Sequence, residues 1–190
     1  MRTIDRDKYP YTPLFCEENI WWLANSLREE GEDVSQMRVL FFSNRYKQIV
    51  MLNQLAANEG HPIIWDYHVV LQLEGADSDW VFDLDSRLPF PVQRVAYFQK
   101  TFPDQSSLPE QFRSWVRSIP ADSYLEHFFS DRSHMVGKVP ESEFPDWPVI
   151  QPEANNRRIA LNEYWDMDKQ LNDSSYTYSL NRRDSTGSLS

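Results

Sequence analysis

Residues 63–73, IIWDYHVVLQL, and residues 80–85, WVFDLD, flank the polar stretch Glu74-Gly75-Ala76-Asp77-Ser78-Asp79. Both runs are dense in β-branched and aromatic side chains and the stretch between them carries turn residues, so the pattern predicts a β-hairpin. Pairing Leu73 with Trp80 across the turn sets the register and places Asp85 opposite His68 on one face, with Asp83 diagonal to it. Phe82 and Leu84 then point to the other face.

Outward from the hairpin, Arg38 to Ser43 reads as a short buried strand. Ile20, Leu23, Ala24 and Leu27 follow helical spacing over Glu17 to Glu30, with acidic residues in the first turn and Gly31 as the stop. Gln48 to Ala57, Leu108 to Val116 and Ser123 to Ser130 are also expected to be helical. Lys138 to Pro152 is a proline-rich connection without periodicity. The expected fold is α+β, an antiparallel sheet flanked by helices. One domain over residues 1–180 is expected, followed by a serine-rich polar tail over 181–190 whose burial would not offset its ordering entropy.

The 190 residues carry 19 basic and 29 acidic side chains, a formal charge of −10. Such a balance argues against a nonspecific nucleic-acid or anionic-membrane binder and tolerates a cationic substrate. The apolar runs are too short to span a bilayer, and Met1 to Pro10 has no signal-peptide hydrophobic region. A single cysteine excludes an intramolecular disulfide, and four histidines without a Cys/His cluster give no metal-site pattern. This usage suits a reducing cytoplasm or nucleus, and a monomer without cofactor is expected.

The sole cysteine, Cys16, falls at the start of the first predicted helix, where unpaired backbone N–H groups and the helix dipole favour a thiolate. A thiol nucleophile needs a base, and the base needs a carboxylate to fix its tautomer. The hairpin offers His68 with Asp83 and Asp85. Read one at a time, these residues are equally explained as a buried small hydrophobe, a satisfied strand histidine and a solvated strand end.

The ordered segments Cys16-Glu17-Glu18-Asn19, Trp65-Asp66-Tyr67-His68-Val69, Phe82-Asp83-Leu84-Asp85, Leu88-Pro89-Phe90-Pro91, Ala121-Asp122-Ser123-Tyr124-Leu125 and Ser130-Asp131-Arg132-Ser133-His134-Met135 resemble the protein N-terminal glutamine amidohydrolase family. The resemblance spans Tyr9 to Asp168. It implies a papain- and transglutaminase-like cysteine-hydrolase core, and a triad of Cys16, His68 and Asp83 without metal or cofactor. It also implies substrates that are proteins or peptides with a free N-terminal Gln, feeding N-terminal degradation. Strand pairing favours Asp85 as the partner of His68 and the motif favours Asp83. Leu14 stands where some relatives have a second cysteine, and the end after Asp168 lacks an expected Gly-rich element.

Reading a free α-ammonium calls for a carboxylate. Glu17, Glu18, Asp66 and Asp131 are candidates; Ser43 and Asn44 are candidates for hydrogen bonds to the carboxamide or first peptide group, and Trp65 for packing on the substrate stem. Two rival readings share these residues: a transglutaminase-like acyltransferase, and a non-catalytic module that binds peptide N-termini.

Overall fold

The computed structural model describes residues 4–172 and 174–180, and the tail expected over 181–190 lies outside them. In chain order the elements are α1 (Cys16–Glu29), β1 (Met37–Ser43), β2 (Ile49–Met51), β3 (Ile63–Trp65), β4 (Tyr67–Leu73), β5 (Trp80–Phe82), β6 (Val92–Gln93), α2 (Arg94–Thr101), β7 (Trp115–Pro120), α3 (Ala121–His127), β8 (Phe128–Phe129), β9 (Ile159–Ala160), α4 (Leu161–Trp165) and β10 (Tyr176–Ser179). Six strands form an antiparallel sheet in the order β10-β7-β1-β4-β5-β6. The architecture is a central antiparallel sheet with helices on both faces.

Why β1 and β4 look almost continuously apolar follows from that layering. Val39, Phe41, Val69 and Leu71 face the cluster completed by Ile20, Leu23, Ala24 and Leu27 of α1 and Tyr124 of α3. Their neighbours Leu40, Phe42 and Val70 face a second cluster with Tyr97 and Phe98 of α2 and with Phe102. A sheet covered on both sides loses the in/out alternation of a half-exposed one. In α1 the buried Ile20, Leu23, Ala24 and Leu27 keep helical spacing, with the less buried Trp21, Trp22 and Ser26 between them, while the first turn, Cys16 to Asn19, is buried throughout.

Three expectations are corrected. Gln48 to Ala57 is not a helix: Ile49–Met51 pairs with Ile63–Trp65 as a separate ribbon, and Asn53 follows at φ 57°. The helical spacing of Ile49, Leu52 and Ala56 is coincidental, since Ile49 and Met51 are buried with the period of a strand. Leu108 to Val116 is likewise not an α-helix; it holds a single 3-10 turn, Glu110–Phe112, and the start of β7. The long first strand of the hairpin breaks at Asp66, whose Oδ1 accepts the Tyr67 N–H at 2.9 Å.

Arg117 concealed β7 from the sequence. It lies fully buried in the middle of that strand, and its guanidinium donates to the carbonyls of Glu163, Tyr164, Asp166 and Lys169 and to Thr177 Oγ1. Carbonyls at the end of α4 have no helical partner, and a planar five-donor fork satisfies several at once. A charged residue therefore acts as the organising centre of the C-terminal segment.

Candidate active site

The hairpin register is as the turn dictates, with Leu73 opposite Trp80, Gln72 opposite Val81 and Leu71 opposite Phe82. There the ladder stops, so the expected pairing of Asp85 with His68 does not form. Asp83 Oδ1 accepts the Asp85 backbone N–H at 3.0 Å, which turns the chain locally. The turn brings the Asp83 carboxylate back to His68, with Nε2 and Oδ1 3.0 Å apart. Tyr97 donates its hydroxyl to Asp83 Oδ2 at 2.8 Å, and Gln54 donates its side-chain amide to the same oxygen at 3.3 Å. Four donors thus hold one buried carboxylate as an anion.

These contacts fix the charge states. Burial alone would raise the Asp83 pKa, but His68, Tyr97 and Gln54 outweigh it and hold the carboxyl below its ordinary value. Burial likewise disfavours the imidazolium, and the Asp83 carboxylate reverses that, so the His68 pKa lies above its ordinary value. Nε2 is committed to Asp83, while Nδ1 has no hydrogen-bond partner among the described residues. Trp65 stacks along the imidazole with ring centroids 6.3 Å apart.

Cys16 is the first residue of α1, after Phe15 and a Leu14 held at φ 70°. No side chain caps this helix. Instead Asn19 clasps the preceding loop, its Oδ1 accepting the Thr12 N–H at 2.9 Å and its Nδ2 donating to the Thr12 carbonyl at 2.8 Å. The clasp fixes the approach of the chain to Cys16 and leaves the first-turn N–H groups unspent. Burial pushes the thiol pKa well up, and Glu17, Asp85 and Asp83 add to the rise, while a hydrogen bond from the Val69 backbone opposes it.

Cys16, Trp65, Asp66, His68 and Asp85 line one cavity of about 270 Å³ together with His134. Donor atoms of His68, Asp83 and Asp85 lie within 4.8 Å of one another, and the Cys16 sulfur stands outside that group. The thiol instead points to Glu17 Oε2, 3.7 Å away. Cysteine and histidine therefore share a pocket without a direct hydrogen bond.

Five of the side chains expected to read substrate are placed elsewhere. Glu18 is fully buried; Ser130 donates to it at 2.6 Å, Trp147 at 2.7 Å, and Arg132 through two nitrogens at 2.9 and 2.8 Å. Glu17 is also fully buried, accepts from Tyr67 at 2.9 Å and lies 3.2 Å from His134 Nε2. It stands behind the thiol, because the first turn of α1 packs inward. Ser43 donates to the Asp66 carbonyl at 2.7 Å. Asn44 spends its amide on the carbonyls of Gln48, Gln111 and Arg113 and its oxygen on the N–H groups of Tyr46 and Gln48. Asp131 closes a local turn with the Ser133 N–H at 2.9 Å.

Tyr97, Gln54, Tyr67 and Tyr11 were not read from the sequence as parts of the site. Tyr97 lies on α2, which carries no strong pattern, and Gln54 lay in the stretch expected to be helical. His134, present in the sequence only within a family-like segment, lines the cavity and touches Tyr67 and Glu17.

The model of the N-terminal glutamine amidase family matches residues 11–185. The chain belongs to this family. It is 35% identical over 168 residues to the human protein N-terminal glutamine amidohydrolase, covering 87% of this chain and 82% of that protein. The Bos taurus protein of the same name is 36% identical over 171 residues, 87% of this chain and 81% of its own. The Arabidopsis thaliana one is 34% identical over 152 residues, 76% and 68% respectively. Within this amidase family member, a helix-start cysteine and a carboxylate-bound histidine open onto a common cavity. Those are the parts an acyl-transfer reaction at an amide requires.

Proposed function

We propose that this protein hydrolyses the side-chain amide of an N-terminal glutamine on a peptide or protein, giving glutamate and ammonia through a thioester on Cys16. The observation that carries the reading is the cavity shared by Cys16 and His68, with Asp83 fixed behind the histidine. Membership of the amidase family directs it to the N-terminal residue. The sheet and the helix-start cysteine are in keeping with a papain- or transglutaminase-like core.

In the reaction, the thiol turns from Glu17 toward His68 as the substrate enters; contacts of this kind are commonly loose before substrate binds. His68, in its neutral form, takes the thiol proton through Nδ1, and the thiolate attacks the carboxamide carbon. The oxyanion develops beside the N-terminus of α1, where the Cys16 backbone N–H is the nearest donor by position. Imidazolium, held by Asp83, passes its proton to the departing ammonia, and a water activated by neutral His68 then releases glutamate from the thioester. Asp83 orients the ring and stabilises its charge without taking the proton. A new N-terminal glutamate suits entry into N-terminal degradation in the cytoplasm or nucleus.

The test is mass spectrometry of a Gln-starting peptide, its N-acetylated form and an internal-Gln control, with wild type and Cys16→Ser. We expect a mass change only for the free Gln-starting peptide and only with wild type. Conversion of the blocked peptide, activity in the variant, or transfer to an added amine in place of hydrolysis would reject the proposal.

A further inference from the structure

We propose that Asp85, held by Tyr11, is the specificity residue that receives the substrate's α-ammonium. The inference rests on the deamidase reading above and names the group that restricts it to a chain terminus.

Reach is the first argument. In glutamine the α-nitrogen and the reacting carbon are separated by four bonds, about 5 Å when extended. A carboxylate reading that nitrogen must therefore lie beside the reacting groups, not at a distant rim. Asp85 lines the cavity with Cys16 and His68, and one of its oxygens is within 4.8 Å of a His68 ring nitrogen. The locked Glu18, the inward Glu17 and the turn-closing Asp131 do not line it.

Availability is the second. Asp85 Oδ1 accepts the Tyr11 hydroxyl at 2.7 Å, and its backbone is pinned on both sides, the N–H to Asp83 and the carbonyl to Leu55 N–H at 2.7 Å. Oδ2 has no hydrogen-bond partner among the described residues, so the fixed carboxylate has one oxygen left to accept. Asp66 also lines the cavity with one oxygen occupied, by the Tyr67 N–H, but unlike Asp85 it already lies in the field of a cation, the Lys47 ammonium.

Charge is the third. Burial and the neighbouring Asp83 and Glu17 keep the Asp85 carboxyl above its ordinary pKa, against the opposing pull of His68 and Tyr11. The same Asp85 pushes the Cys16 thiol up, the wrong direction for a nucleophile. A cation seated on Asp85 offsets that residue's share of the rise, while the larger shares of burial and Glu17 persist. A blocked N-terminus brings no such charge and leaves the contribution of Asp85 to the thiol in full.

The experiment compares a Gln-starting peptide with its des-amino analogue, in which hydrogen replaces the α-amino group, using wild type, Asp85→Asn and Tyr11→Phe. Wild type should prefer the amine-bearing peptide, and Asp85→Asn should reduce that preference in kcat/KM roughly 10- to 100-fold, mainly through KM, as expected for loss of a charged hydrogen bond. Tyr11→Phe should reduce it less and in the same direction; as the hydroxyl sits on a partly exposed ring, this variant keeps the test available if Asp85→Asn does not fold. Equal losses on the two peptides in both variants, or an unchanged preference, would overturn the assignment. Absence of deamidation by wild type is a separate result, which would reject the proposed function itself.

Discussion

His68 Nε2 and Asp83 Oδ1 are 3.0 Å apart, with their side chains 2% and 1% exposed. No solvent competes for this bond, so removing the charge of Asp83 removes the partner of the imidazolium and upsets the tautomer that keeps the Nε2 proton pointed at Asp83 and Nδ1 as the basic nitrogen. Asp83→Asn should lower kcat by roughly 10³- to 10⁴-fold, with unchanged secondary structure by circular dichroism. Asp85→Asn should act mainly on KM. Steady-state kinetics on one Gln-starting peptide separates the two, and equal kcat losses would contradict the assignment of roles.

The same pair sets the pH dependence. Asp83 holds the His68 pKa above its ordinary value, which is about 6.5, and the base is needed neutral. The acid limb of kcat/KM should therefore have its midpoint above about pH 6.5 and move down in Asp83→Asn. For stability, a raised histidine pKa contributes fully below about pH 6.5 and is lost as pH rises through the folded value. Thermal melts should show the advantage of wild type over His68→Gln shrinking as pH rises above about 6.5.

Cys16 should be a slow thiol at rest. Burial and the nearby carboxylates push its pKa up, and only the thiolate is alkylated. The iodoacetamide rate is expected to be low at pH 7 and still climbing above pH 9. Glu17→Gln removes the charge that raises the thiol most and should increase the rate at pH 7 several-fold. A fast wild-type reaction at neutral pH would contradict the thiol environment described.

Part of this was legible beforehand because short-range rules decide it. The stripe of α1, the strand β1 and the hairpin register follow from periodicity and turn chemistry. The choice between Asp83 and Asp85 did not follow, because the ladder ends after Phe82 and a hydrogen bond two residues long re-aims the chain. Pairing arithmetic has no term for where pairing stops. Nor does helix-terminus reasoning reveal that Glu17 and Glu18 point into the core: two acidic residues in a first turn have the same pattern whether solvated or buried. Tyr97 and Gln54 meet Asp83 only through the tertiary fold, across 14 and 29 residues. Motif order carried the candidate triad where local physics left it open.

Glu18 and Arg132 join α1 to the loop after β8 at a separation of 114 residues. Arg132, at φ 59°, also donates to the carbonyls of Pro145 and Trp147 at 3.0 and 2.8 Å, fastening the proline-rich connection to the same point. Glu18→Ala leaves the guanidinium buried without its counter-charge, a change that costs about 3 to 5 kcal/mol. For a chain of this size that is a fall in Tm of about 6 to 20 °C. Arg132→Ala should fall at least as far, since it strands the carboxylate and two carbonyls together. The connection carries Lys138 on the cavity wall, with His134 just before it, so activity of both variants should be lost at temperatures below their melting points as the loop loosens. Parallel activity and differential-scanning measurements check this, and a Tm within 2 °C of wild type in Glu18→Ala would show that the pair does not hold the two segments together.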